Sequence, residues 1–196
     1  MQATIPLARE RDLISTALLT TGLVLATVTM TFGVMIAVFI YRSEGKIWWG
    51  RLAVPSVLWV TTAILLTSSY ALEHARRLLL RNEQDAAFHW FSYTAGLGLA
   101  FLIGQIAAWF QVIHSGISLS GNAHSWFVFL FTALHGMHIV VGLAGLLWVV
   151  VRTRARASGP RYQAKTKAVA LGVSVFWHYL DVLWIVLFTL LLTWHR

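Results

Sequence analysis

Five apolar runs, each long enough to cross a bilayer as a helix, alternate with short polar segments along the chain. A spanning helix needs about 20 consecutive apolar residues. The runs predict spans over residues 13–41, 55–82, 88–113, 125–151 and 168–194. The second run is strictly apolar only to Leu72 and is read as continuing in helical form to Asn82. Pro55 stands where that helix can begin, since a first-turn proline loses no hydrogen-bond donor. Gly159-Pro160 reads as a break in the connection between spans four and five. The first run is too long for a signal-peptide core and no small-residue cleavage site follows it, so it is read as a span. Short connections predict antiparallel neighbours. The fold class expected is all-α, a polytopic bundle of five transmembrane helices, with residues 1–196 forming a single membrane domain.

Composition agrees with this pattern. Of 196 residues, 58% are hydrophobic and only 11% charged, against about 25% charged in a soluble domain. The charges are clustered. Eleven of the fifteen Lys and Arg residues fall before span one, after span two, and between spans four and five; the other four are Arg42, Lys46, Arg51 and Arg196. With five spans the eleven share one side, which places the N-terminus in the cytoplasm and the C-terminus outside. The net charge of +8 is explained by this topology and not by nucleic acid. Cysteine is absent, which excludes disulfides, thiolate metal sites and thioether-attached heme.

Ionisable groups within spans are costly and are the first places to look for function. His135 and His138 lie at i, i+3 on one face of span four. They could ligate a metal or heme, but a heme between helices needs histidines on two facing helices, and carboxylate partners for a metal are few. The preferred reading is hydrogen bonding between helices, worth about 0.6–2 kcal/mol per contact in a bilayer. His178 and Asp181 form a second i, i+3 pair. Asp181 could accept a hydrogen bond from a His178 ring N–H or reach His135 or His138. A proton relay would need more titratable groups than the spans hold, so a polar clamp is preferred. Gln105 is a further polar residue within span three. Glu73 pairs by spacing with Arg76 and Arg77 at a helix end, and Arg76, Arg77 and Arg81 are candidates for lipid-headgroup contacts. Glycines 96, 98, 104, 142 and 145 permit close helix approach.

These residues also carry a family resemblance. The stretch Phe176-Trp-His-Tyr-Leu-Asp-Val-Leu-Trp184 resembles the last-helix signature of cytochrome c oxidase subunit III. Leu134-His-Gly-Met-His138 followed by Gly142 resembles that family's penultimate-helix pattern. Gly96 to Trp109 is similar to the helix before it, and Pro55, Trp59, Thr62, Ser68, Ser69 and Ala75-Arg76 to the one before that. The chain resembles the short, five-helix bacterial form. The resemblance implies a non-catalytic subunit with no redox centre of its own. It packs on subunit I, with subunit II and a small subunit IV nearby, and holds structural phospholipid. Heme and copper belong to the partner subunits. It also implies the orientation already read from the charges. The sequence departs from the family in its first helix, where a buried acid is common. Counting back from Tyr41-Arg-Ser43 reaches Thr29 or a neighbour such as Thr31, and no acid lies between Asp12 and Glu44.

The alternatives within this class are subunit III of a quinol oxidase and a subunit-III-like protein of a nitric oxide reductase. A stand-alone transporter or heme-binding membrane protein is the alternative of another class; a transporter should show broken helices or an internal repeat. The electron donor and membership of a respiratory supercomplex are not legible in the sequence.

Overall fold

A computed structural model describes residues 7–43, 56–114, 123–155 and 159–193. Pro55, Lys46, Arg51 and Arg196, used in the sequence reading, lie outside the described residues, as do residues 115–122 of the segment 111–122, which carries no Lys, Arg, Asp or Glu. The described residues form five α-helices: α1 (Leu7–Ser43), α2 (Val57–Leu80), α3 (Gln84–His114), α4 (Ala123–Arg154) and α5 (Pro160–Thr193). Four of these contain stretches long and apolar enough to cross a membrane: Arg11–Arg42, Gln84–His114, Trp126–Arg154 and Pro160–Thr193. α2 is the exception. It carries hydroxyls at Thr61, Thr62, Thr67, Ser68 and Ser69 and ends in charged residues.

α5 is the centre of the bundle and packs against α1, α2 and α4, while α3 lies between α2 and α4. α2 and α3 form the most extensive pair and α1 is held almost entirely by α5. In lipid, helices associate by close packing and polar contacts rather than by escape from water. Trp177 shows how this works. Its ring lies over Gly98 of α3 and Gly142 of α4, where an added Cβ would come within 2.7 and 3.2 Å of it. Its Nε1 donates to Ser68 Oγ of α2 at 3.0 Å, so one α5 side chain ties down three helices. Gly104 does the same for α2 and α3, since a Cβ there would collide with the Thr61 methyl.

Helix boundaries differ from the sequence reading at several places, α1 for example starting at Leu7 rather than residue 13; the stop of α2 and the start of α5 have clear local causes. α2 stops at Leu80 rather than Asn82. Asn82 takes a left-handed φ of 64°, its N–H returns to Leu79 O at 3.1 Å, and Glu83 N–H returns to Leu78 O at 3.0 Å. This pair of bonds is the αL helix stop, with Asn in the place glycine usually takes. α3 starts at once at Gln84. α5 begins at Pro160, eight residues before the expected Ala168. Proline is the first residue of a helix here and not a loop break. The basic turns over Arg161, Lys165 and Lys167 interrupt hydropathy without interrupting the helix.

Candidate functional site

The polar side chains inside the bundle sort into three groups. The first is a ladder between α2 and α5. Trp184 Nε1 donates to Thr62 Oγ1 at 3.0 Å, Trp177 Nε1 to Ser68 Oγ at 3.0 Å, and Ser69 Oγ pairs with His178 Nδ1 at 2.5 Å. The bonded indoles Trp177 and Trp184 are seven residues apart and their acceptors Ser68 and Thr62 are six apart. Antiparallel helices in contact meet again about every two turns, and Trp59 against Phe188, centroids 5.0 Å apart, continues the same register. Ser68 is fully used, because it also donates to Leu65 O at 2.6 Å.

Asp181 lies against this ladder. It is 5% exposed, and its Oδ2 is 3.8 Å from His178 Nδ1, longer than a hydrogen bond. Neither carboxyl oxygen has a hydrogen-bond partner. His178 instead spends Nδ1 on Ser69. Next to it, Tyr179 OH meets Thr29 Oγ1 of α1 at 2.6 Å. Thr29, or a neighbour such as Thr31, is the position that the resemblance sets against the family's buried acid. A hydroxyl pair therefore joins α1 to α5 at that level.

The second group lies between α3 and α4. His135 is fully buried against Trp184 (5.1 Å) and Phe101 (5.9 Å). Its ring nitrogens, and both amide atoms of buried Gln105, have no hydrogen-bond partner. His138 turns the other way. Its Nδ1 donates to Leu134 O of its own helix at 2.7 Å and its ring meets Phe32 of α1 at 5.7 Å. The i, i+3 histidines thus face different surroundings, and His178 sits apart from both. Among the described residues, no group of three or more His, Cys, Asp or Glu is placed to hold a metal ion. The interhelical bond at this level is one the sequence reading missed, Trp109 Nε1 to Thr132 Oγ1 at 3.0 Å.

The third group lines the ends named cytoplasmic above. Glu73 takes Arg76 Nε and Nη2 at 2.9 Å each, and Arg77 Nε at 2.9 Å. These lie beyond the apolar stretch ending at Leu72. The hydrogen bond from Arg76 chiefly, with Arg77 adding to it, holds the Glu73 carboxyl down to about 2 against the effect of partial burial. Arg76 and Arg77 are thereby engaged within α2, and Arg81 stands exposed beside them. Lys167 Nζ donates to Asn82 Oδ1 at 2.8 Å. Arg152 lies 4.0 Å over the Tyr162 ring and 4.7 Å over Trp148, while Tyr162 OH donates to Arg152 O at 3.2 Å.

A sizeable groove opens among these elements. It runs between α1 and α4 over α5, with a volume of about 460 Å³. Gly142, Gly145 and Gly172 remove side chains from its floor, Val24 and Val141 flank it, and Lys165 stands at one end. Thr16 and Thr20 also line it, and their hydroxyls bond their own helix at 2.8 Å each, which leaves a methyl-lined wall. The sequence reading named Gly142 and Gly145 but neither Gly172 nor Lys165. A cation one helix turn outside an apolar run is the signal that marks Lys165.

Comparison with known proteins agrees with this architecture. The family model described as "Cytochrome c oxidase subunit III" matches residues 49–196. The chain is 32% identical over 162 residues to a cytochrome c oxidase subunit 3 of a Synechocystis species, covering 81% of this chain and 66% of that one. It is 33% identical over 138 residues to the subunit 3 of Corynebacterium diphtheriae, covering 70% and 65%. It is 28% identical over 138 residues to a probable subunit 3 of Nocardia farcinica, covering 70% and 64%. The chain thus spans less than two thirds of the length of these relatives. It is a polytopic bundle of the bacterial inner-membrane type. The Trp-His-x-x-Asp and His-Gly-x-His segments fall inside the matched region, and with it the chain is a member of the cytochrome c oxidase subunit III family.

Proposed function

We propose that this chain is the non-catalytic subunit III of a heme-copper terminal oxidase in aerobic respiration. It crosses the bacterial cytoplasmic membrane five times as one domain, N-terminus inside. Its role is to pack on subunit I beside subunit II and to hold phospholipid, and it thereby sustains oxygen reduction carried out elsewhere. The observation that carries this reading is the family match over residues 49–196. The divergence of the histidines within the spans supports it. His135 meets Trp184 and Phe101, His138 meets Phe32, and His178 meets Ser69. These are packing and hydrogen-bonding roles.

α2 completes the five spans. Thr62, Ser68 and Ser69 meet partners on α5, and Thr61 and Thr67 bond carbonyls of α2 itself; a helix whose hydroxyls are satisfied in this way is compatible with lipid. The α1–α4–α5 groove is the lipid site in this reading: its apolar floor takes an acyl chain and Lys165 meets the phosphate. Arg81 is the further headgroup contact, with Arg76 and Arg77 committed to Glu73. Redox chemistry and any proton translocation are assigned to the partner subunits.

The test is affinity purification of this chain from native membranes in mild detergent. A heme- and copper-containing subunit that copurifies with oxygen consumption supports the proposal, and the donor that drives turnover separates cytochrome c from quinol oxidase. Non-heme iron in the partner's active site would assign a nitric oxide reductase instead. A chain that emerges alone would overturn the reading.

A further inference from the structure

Four helix ends at the basic side of the bundle close on a small pocket. Its volume of about 10 Å³ is room for one water-sized group. Its wall takes Asn82 from beyond the stop of α2, Gln84 from the start of α3, Arg152 from the end of α4, and Tyr162, Gln163 and Lys167 from the first turns of α5. Two helices begin here and two end, so their dipoles largely offset and the side chains set the field. Arg152 and Lys167 bring two positive charges, and none of the described residues lining the pocket is an acid. Glu83 and Asp85, on either side of Gln84, do not line it.

The wall is rich in donors. Its hydroxyls spend their protons on the backbone: Tyr162 OH on Arg152 O at 3.2 Å, Thr153 on Val149 O at 2.8 Å and Thr166 on Tyr162 O at 2.9 Å. Asn82 Oδ1 already takes Lys167 Nζ at 2.8 Å, and an ammonium has two further N–H bonds to give. The Arg152 guanidinium is held against the Tyr162 and Trp148 rings at 4.0 and 4.7 Å, yet its Nε is buried and has no hydrogen-bond partner. A buried charged donor left unpaired is costly. A water molecule would pair it but leave two cations uncompensated. An anionic oxygen answers both needs, and Arg with Lys is the usual setting for a phosphate. The pocket admits one such oxygen and leaves the rest of the tetrahedron at its mouth. Tyr162 stands six residues before the apolar part of α5, about 9 Å at 1.5 Å per residue, which is the depth of the headgroups and the water beside them. We infer that this pocket binds a phosphate group through one oxygen, with Arg152 and Lys167 as its charge partners. A lipid headgroup and a free phosphate ion offer the same chemistry there. The inference does not rest on the oxidase reading, because every residue it names belongs to this chain.

The test uses the full-length chain, purified in mild detergent with whatever subunits it retains. A fluorescent tag on this chain reports its melting, as the fraction left in the unaggregated size-exclusion peak after heating. Inorganic phosphate is titrated against chloride at equal ionic strength. It is expected to raise the wild-type midpoint saturably, as a ligand of the folded state does. Lys167→Met and Arg152→Lys are expected to raise the phosphate concentration that gives half the shift by about tenfold or more. Arg161→Met, exposed beside the pocket but outside its lining, is expected to behave as wild type. Where a headgroup already fills the site, added phosphate leaves the wild-type midpoint unmoved. Wild type and Arg161→Met then retain more lipid phosphorus per chain through washing than Lys167→Met does. Either pattern supports the site and tells the free ion from the lipid. A phosphate response and a lipid content both unchanged in Lys167→Met, or lowered as much by Arg161→Met, would overturn it.

Discussion

At the residue scale, three bonds between helices join an indole to a hydroxyl: Trp177 to Ser68, Trp184 to Thr62 and Trp109 to Thr132. Trp177 combines a bond to Ser68 with a ring seated over two glycines. Trp177→Phe loses the bond and part of the packing, and is expected to lower stability in detergent by about 1–3 kcal/mol. Ser68→Ala should cost less, and the double variant less than the sum of the two, because the partners share one bond. A thermal-unfolding cycle measures this. Glu73 gives a pH dependence. Its folded value of about 2 lies below the ordinary 4.5, so its stabilising effect is complete above 4.5 and is lost as pH falls through about 2. Glu73→Gln is therefore expected to be less stable than wild type at neutral pH, with the gap closing across that acid window in pH-dependent melting. The sequence showed which polar residues lie within spans. It did not show their partners, because the facing of one helix on another is set by packing. The spacing of His135 and His138 reads as a pair, yet each ring follows the helix nearest to it.

At the element scale, the five apolar runs reappear as five helices in order. The errors fall where hydropathy and helicity part company. Arg161, Lys165 and Lys167 are polar but are good helix formers, so α5 extends back to Pro160. Asn82 ends α2 because Asn tolerates the left-handed region that β-branched residues avoid. Asn82→Val is expected to cost about 1–2 kcal/mol and also to free Lys167, which bonds Asn82 Oδ1. Asn82→Gly should lose only the Lys167 bond and keep the turn. Comparing the two variants by thermal unfolding separates backbone conformation from the side-chain contact. α1, joined almost wholly through α5, is the least secured helix, and nothing in its own sequence announces which of its faces is left open.

At the scale of the whole molecule, the arrangement around α5 was the least legible feature. Periodicity identifies a buried face but not which neighbour covers it. The groove between α1 and α4 follows from that arrangement, since α4 and α1 scarcely meet and three glycines lie beneath. Val24 and Val141 flank it and are 42% and 57% exposed, so Val24→Trp with Val141→Trp can fill the groove while sparing the core. In the intact complex this pair is expected to lower copurifying phospholipid, by mass spectrometry, relative to wild type. Dioxygen is apolar and dissolves in lipid, so the same pair should raise the apparent KM for oxygen of the assembled enzyme. An unchanged KM would sink the oxygen-access idea while leaving the lipid site standing.

Trp177 has a consequence for how sequences of this fold can drift. Its indole occupies space released by Gly98 and Gly142 and takes its hydrogen bond from a third helix at Ser68. Neither glycine can change alone without a collision, Ser68 cannot without leaving an indole N–H unpaired, and Trp177 cannot without opening a void. Their histories should therefore be linked. Where a related chain carries a smaller ring at this place, alanine or larger becomes tolerable at the two glycines, and the serine is released from its duty as an acceptor.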